Sequence, residues 1–131
     1  MEIQEAISKV RKELICGILE ICDEMTNRNS DDNKQIFDVI TIVRNIKTKS
    51  VVEKGISDVM KARSKAIDDI MKVGHEANDG ITAMFVNCIN NGIGIDIASV
   101  TEMSKSAILT AKGIDTTASE DIKEILRGLV F

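Results

Sequence analysis

The residues that could do chemistry in this chain are few, and their spacing does not bring them together. His75 is the single histidine and is followed by Glu76, while the three cysteines are Cys16, Cys22 and Cys88. A zinc or di-iron site on helices needs paired histidines or a Glu-x-x-His motif, and the sequence has neither. Cys88 lies about 20 Å along a helix from His75, too far for a nucleophile and its base. We therefore predict that the chain is not an enzyme and holds no metal or cofactor.

No loop of the sequence has the spacing of a nucleotide or small-molecule site. There is no glycine-rich phosphate loop, no serine elbow and no dinucleotide fingerprint. Tryptophan and tyrosine, which often anchor small ligands, are absent. The sequence therefore offers no evidence for a small-molecule substrate.

A row of lysines is the second candidate, this time for binding phosphate groups. At a helical spacing these lysines fall on one face, but acidic residues lie three or four positions from most of them and can pair with them. The chain carries a net charge of −4, whereas nucleic-acid binders usually show a basic excess. We predict a solvated, salt-bridged face and no nucleic-acid partner, with a weak surface for nucleic acid or for an acidic partner as the alternative. The lysines are Lys54, Lys61, Lys65 and Lys72, and the nearby acids are Asp58, Asp68 and Asp69.

Arg63 is the most unusual single residue, because it lies at the centre of an apolar helical stripe between Ile56 and Ile67. A guanidinium buried without a partner is very costly, so Arg63 must reach solvent or meet a carboxylate. A polar residue on an apolar seam can also fix the register and number of packed helices. A surface arginine, a paired register-setting arginine and an anion site all remain open. The candidate partners are Glu20, Asp23 and Glu24, in the same chain or in a second one.

The elements that position these residues are helices. The 131 residues include no proline and only three phenylalanines, and 44% are hydrophobic, so the core is aliphatic and nothing forces a helix to break. Isoleucine and valine recur at steps of three or four, which is the helical period. We predict one all-α domain over residues 1–131, a bundle of about five helices. The predicted helices cover residues 2–26, 34–48, 51–90, 96–112 and 117–130, and residues 27–33 form a loop.

The predicted helix over 51–90 is about 60 Å long and carries one apolar seam along its length. The segment that begins at Ile56 is repeated at Ile67, and an eleven-residue period favours straight packing. A helix this long has more apolar surface than a small domain covers alone, so we predict that the seam meets another polypeptide. The predicted interface residues are Ile56, Val59, Arg63, Ile67, Ile70, Ile81, Met84, Phe85 and Ile89.

The segment 81–100 is unusually apolar, with twelve hydrophobic residues in twenty and no lysine or arginine. Two interpretations stay open: part of the intramolecular core, or a contact surface for another chain. Insertion into a membrane is disfavoured by Asn87, Asn90, Asn91 and Asp96, because polar groups in hydrocarbon are costly.

The sequence predicts an intracellular protein, or one within a virus or phage particle. The N-terminal segment is charged from its second residue, which predicts no secretory signal peptide, and no window is apolar enough to span a membrane. We expect a non-enzymatic, self-associating structural, assembly or adaptor protein that acts through helix–helix contacts. The alternative is a monomeric helical inhibitor or chaperone that binds one protein partner through residues 81–100.

Overall fold

The chain is seen in a computed structural model that describes residues 2–92 and 94–130. Over these residues the backbone forms three α-helices and no strand: α1 is Glu2–Arg44, α2 is Lys49–Asn91 and α3 is Ile97–Val130. The all-α bundle is confirmed, and so is the long helix predicted over 51–90. The prediction of about five helices is wrong, because two of the expected breaks do not occur.

The two connections between helices are short, so neighbouring helices run antiparallel. After α1 the amides of Ile46 and Lys47 donate to the Val43 carbonyl, at 3.0 and 2.7 Å, and the chain turns into α2. α2 ends where the sequence predicts, at Gly92, which has a φ of 63° and donates its amide to the last turn. α3 then begins with the amides of Ala98 and Ser99 donating to the Asp96 carboxylate.

The predicted loop at 27–33 is wrong, because α1 continues through it without interruption. This segment lacks apolar residues, but its polar side chains bond to the other two helices. Arg28 pairs with Asp115 of α3, and Asn29 and Asn33 accept hydrogen bonds from Arg63 of α2. The polar run is therefore a helical segment that α1 uses to bond to the other two helices, with Asn27, Ser30, Asp31 and Asn33 exposed and Arg28, Asn29 and Asp32 half-buried.

The predicted break near Gly113 is also wrong, and α3 runs through it to Val130. Among the described glycines only Gly92 has a positive φ, so Gly113 keeps a right-handed backbone. A Cβ atom built on Gly113 would meet no other atom within 4 Å. Nothing at this position requires a glycine.

The core follows an eleven-residue spacing in all three helices, which extends the short repeat visible in the sequence. Eleven residues make three turns at 3.67 residues per turn, so side chains at this spacing stay on one face of a nearly straight helix. Each helix contributes buried residues in such triples. They are Leu14, Met25 and Ile36 of α1, Val59, Ile70 and Ile81 of α2, and Val100, Ala111 and Ile122 of α3.

The register between α1 and α2 is fixed at several places along the pair. Arg11 donates to Thr82 near one end, and Arg63 donates to Asn33 further along. Between them Gly74 lies against Ile18, where a Cβ atom would be 3.1 Å from the isoleucine side chain. These contacts define which residues of α1 and α2 lie level with each other.

The two glycine positions give opposite predictions for replacement by alanine. Gly113→Ala should raise the free energy of unfolding by about 0.5–1 kcal/mol, because it removes backbone freedom inside a continuous helix. Gly92→Ala should lower it by about 1 kcal/mol, because alanine is strained at positive φ. Urea unfolding followed by circular dichroism measures both. A destabilising Gly113→Ala would show that α3 does end there.

Candidate interaction face

The predicted interface residues divide sharply by burial. Val59 is buried against Ile36 of α1 and Ile122 of α3, and Ile70 and Ile81 have no exposed surface in the main core. In this fold the centre of the seam is therefore the intramolecular core, and only its edges stay accessible. Ile56, Arg63, Ile67, Met84 and Phe85 are half-buried, and Ile89 is exposed.

The apolar segment 81–100 is also split between core and surface. Ile81 and Val100 are fully buried, whereas Val86 and Ile89 are exposed. Ile93, which the sequence count includes, lies outside the described residues. Neither of the two interpretations left open by the sequence therefore describes the whole segment.

An uncharged face runs along the outer side of α1 and α2, and it is the most distinctive surface of the bundle. Ile15 and Leu19 of α1 and Met71 and Asn78 of α2 line one groove of about 240 Å³ on this side. Leu19 and Phe37 are eighteen residues apart, as are Met71 and Ile89, which is five full turns. The face is thus defined by Ile15, Leu19, Cys22, Thr26, Ser30, Asn33 and Phe37 of α1, and by Met60, Ser64, Ile67, Met71, His75, Asn78, Thr82, Phe85 and Ile89 of α2.

None of these sixteen positions carries lysine, arginine, aspartate or glutamate, although such residues make up 29% of the chain. Several of its apolar side chains are well exposed, with Leu19 at 47%, Phe37 at 64% and Met60 at 64%. Between Ile15 and Phe37 of α1 and between Met60 and Ile89 of α2 the charged residues lie elsewhere on the circumference, while Arg44 and Glu53 continue the same stripes just beyond the ends of the face. A long surface with large apolar groups and no charge has the composition that protein–protein interfaces favour.

Three polar atoms under this side of the bundle are buried without a partner among the described residues. They are Oδ1 of Asn78, in a residue that lines the groove, Nε of Arg11, and Nε of Arg63, whose guanidinium bonds to Asn33 of the face. Thr82 accepts from the other end of the Arg11 guanidinium and donates to the Asn78 carbonyl, so Thr82, Arg11 and Asn78 form one small network. Buried polar atoms without partners are uncommon in native proteins. The network has unused hydrogen-bonding capacity beside the face.

The α1 half of the face was not among the residues predicted from the sequence. The signal was present, because positions 15, 19, 22, 26, 30, 33 and 37 are all uncharged and follow the helical period. The expected loop at 27–33 divided this pattern between two helices. Once α1 is known to be continuous, the pattern is visible in the sequence.

Within the chain Arg63 bonds to none of the candidate carboxylates Glu20, Asp23 and Glu24, so the prediction of one of them as an intramolecular partner is wrong. Its guanidinium donates to Oδ1 of Asn33 at 2.8 Å and to the carbonyl of Asn29 at 3.3 Å. Burial lowers the pKa of Arg63, and the nearby Asp32 carboxylate opposes that shift. The three predicted acids lie nearer the start of α1, whereas Arg63 is level with the polar run at 27–33.

Arg28 completes a polar layer across the middle of the bundle. It forms a two-pronged ion pair with Asp115 of α3, with one contact of 3.1 Å, and this hydrogen bonding raises the pKa of Arg28. The polar layer thus links α1 to α3 through Arg28 and α1 to α2 through Arg63. We define it as Arg28, Asn29, Asp32, Asn33, Arg63 and Asp115.

The fold does not bring together the other residues that could bind a ligand or do catalysis. Lys65 pairs with Asp69 at 3.1 Å as predicted, and Lys72 pairs with Glu76 at 3.9 Å. Within residues 2–92 and 94–130, no group of three or more His, Cys, Asp or Glu side chains could hold a metal ion. Burial, aided by Asp23 and Asp115, raises the pKa of the Cys22 thiol, which makes it less reactive.

In the described part of the chain no helix is long and apolar enough to cross a membrane.

The fold class defined by these observations is an all-α bundle of three long helices. Comparison with protein-family models, curated proteins and solved structures finds no match for the chain. Its function must therefore be argued from its own surfaces.

The Arg28–Asp115 pair should contribute measurably to stability. In a double-mutant cycle with Arg28→Ala and Asp115→Ala, we expect a coupling free energy of about 1 kcal/mol, because Asp115 is largely shielded from solvent. The matched control is the fully exposed pair Lys49–Glu53, which should couple by less than about 0.5 kcal/mol. Equal coupling in the two cycles would show that the polar layer adds no stability of its own.

Proposed function

We propose that this protein is a non-enzymatic assembly module that associates with copies of itself through the uncharged face. The observation that carries this proposal is the complete absence of charge from sixteen surface positions that include Leu19, Phe37, Met60 and Ile89. Adaptor or structural roles both follow from such an association.

The electrostatics favour a second copy as the occupant. Each chain carries a net charge of −4, so contacts through its charged sides meet like charge. The uncharged face is the side on which two copies meet without repulsion. Its sixteen side chains include no lysine, arginine, aspartate or glutamate, and the guanidinium groups of Arg11 and Arg63 beside it are bonded to Thr82 and Asn33 of the face.

The size of the face is adequate for a stable complex. From Met60 to Ile89 it runs about 44 Å along α2, and two helices about 10 Å apart make it about 18 Å wide. On α1 the face is shorter, about 33 Å from Ile15 to Phe37, so the covered area is on the order of 700 Å² per copy, close to the roughly 800 Å² that each partner contributes to a standard stable interface.

The alternative of a monomer that binds one protein partner through residues 81–100 has less support. Ile81 and Val100 of this segment are buried, so its accessible apolar groups are interrupted by positions that belong to the core. The exposed ones include Val86 and Ile89, and Met84, Phe85, Ile95 and Ile97 are half-buried.

A single charge placed on the face should weaken self-association. We expect light scattering to show an oligomer for the unmodified chain, and Met60→Glu or Leu19→Glu to raise the dissociation constant at least about tenfold, because a buried carboxylate lacks a partner. Leu109→Glu is the matched control, since Leu109 of α3 is 68% exposed and lies outside the face.

Thermal unfolding of each variant checks that the bundle itself is intact, because all three positions are exposed. Association through uncharged groups should also persist when the salt concentration is raised about tenfold. A monomeric unmodified chain at about 100 μM, with a dissociation constant above about 1 mM, would refute the proposal. So would equal loss of association in Leu109→Glu.

A further inference from the structure

The end of the bundle at which α1 turns into α2 differs in charge from the rest of the chain. Residues 42–54, which we call the basic tip, carry four basic side chains and one acidic one, a net charge of +3. Because the whole chain carries −4, the residues outside the tip together carry −7. The bundle therefore has a local excess of positive charge at this end. The basic residues of the tip are Arg44, Lys47, Lys49 and Lys54, and the acidic one is Glu53.

The positive charge of the tip is accessible to a partner. Three of its four basic side chains are exposed, and Lys47 is half-buried. Lys49 pairs with Glu53 at 3.6 Å, but both side chains of this pair remain largely solvated. The tip also holds the N-terminus of α2, where Thr48 makes no capping bond and the first turn contains no acidic residue. The start of a helix attracts anions, so the backbone adds to the field of the basic side chains.

The neighbouring parts of the bundle do not neutralise this charge. The last turns of α3 lie beside the tip, since Leu129 packs in the small core cluster at this end. Within those turns Arg127 pairs with Glu124 at 2.8 Å, which leaves no net charge. On α1 the next carboxylate is Asp38, six residues before Arg44 and about 9 Å away along the helix.

Large aliphatic side chains project from the same tip. Ile46 is 71% exposed, the greatest exposure of any large hydrophobic side chain in the part of the chain that the structure describes. Ile42, one turn earlier, is 58% exposed, and Val51 at the start of α2 is exposed as well. Single exposed hydrophobic residues are ordinary. Here, however, three of them alternate with four cations within thirteen residues.

The core is complete beneath the tip without these aliphatic side chains. Val43, Val52 and Leu129 close this end of the bundle, and each is almost fully buried. Gly55 lies against Leu129 so closely that there is no room even for a Cβ atom. The amide of Ile46 donates to the carbonyl of Val43 at 3.0 Å, which holds the turn closed while the Ile46 side chain stays outside. Packing within the chain therefore does not explain the exposed isoleucines.

We propose that the basic tip docks on the surface of an anionic lipid bilayer, with Ile42 and Ile46 entering the boundary between headgroups and acyl chains. Charge complementarity supports this partner, because lysine and arginine are attracted to anionic headgroups and aliphatic side chains gain by leaving water. The negative remainder of the chain is repelled by the same surface, so the bundle approaches it tip first. The tip lies outside the uncharged face, and docking does not depend on the proposed self-association.

The aliphatic side chains favour a bilayer over the other anionic partners. Proteins that bind nucleic acid without sequence preference combine cations with aromatic rings on which bases stack, and the tip contains no aromatic residue. An acidic protein would need a hollow shaped to receive this protruding turn, since stable protein interfaces are closely packed. A fluid bilayer accommodates a protruding turn without such a fit.

Co-sedimentation of the full chain with lipid vesicles tests the proposal. One set of vesicles is made of phosphatidylcholine alone, and in the second about one third of the lipid is phosphatidylserine. We expect at least about tenfold stronger binding to the anionic vesicles. Raising the salt concentration from about 0.1 to about 0.5 M should weaken that binding at least about fivefold, because salt screens the attraction.

Two double variants separate the contributions of charge and insertion. Arg44→Gln with Lys49→Gln should weaken binding to the anionic vesicles at least about tenfold, because both cations lie near the lipid surface. Ile42→Ser with Ile46→Ser should weaken it at least about fivefold without changing the net charge. Thermal unfolding of each variant shows whether the bundle is intact, and the four positions are all exposed.

The matched control for charge is Lys9→Gln with Lys12→Gln. These exposed lysines lie near the start of α1, at the opposite end of the bundle, so their removal should change binding less than about twofold. An equal loss in this control would overturn docking through the tip. So would equal binding to the two kinds of vesicle, or binding that the isoleucine variant leaves unchanged. Tighter binding to duplex DNA at the same phosphate concentration would assign the tip to nucleic acid and overturn the lipid partner.

Discussion

The eleven-residue spacing of buried side chains is the constraint on which this bundle depends. It keeps the contact stripe of each helix on one straight line, so helices of 34 to 43 residues stay packed along their whole length. A seven-residue spacing would instead wind them around each other. Because the stripes are straight, the outer sides of α1 and α2 also stay aligned, and the uncharged face follows from that alignment.

The same geometry separates the roles of the three helices. The inner stripes form the core within one chain. α3 and the far sides of α1 and α2 hold most of the charged residues. The side chains at the outer edge between α1 and α2 are uncharged. A second molecule can therefore cover this edge at low electrostatic cost.

The sequence predicted those features that depend on local signals. The bounds of α2 and the stop at Gly92 follow from a change in hydrophobic phase and from residues that tolerate a left-handed backbone. The continuity of α1 through 27–33 was not predictable in this way, because Arg28 and Asn33 are held by partners more than thirty residues away or in another helix. The burial of Ile70 and Ile81 within one chain likewise depends on packing from α1 and α3, which no local pattern reports.

The polar layer also opposes a shift in register, to which helices with a repeated spacing of apolar residues are prone. A bundle built on an eleven-residue unit could slide by one unit, about 16 Å, and still bring aliphatic groups together. Such a slip would carry Arg63 away from Asn33 and level with Cys22 or Arg44 instead, so the hydrogen bond to Oδ1 of Asn33 would be lost. The loss of this charge-assisted hydrogen bond disfavours the shifted alignment. Arg63 thus favours the observed register of α1 and α2 over registers shifted by one eleven-residue unit.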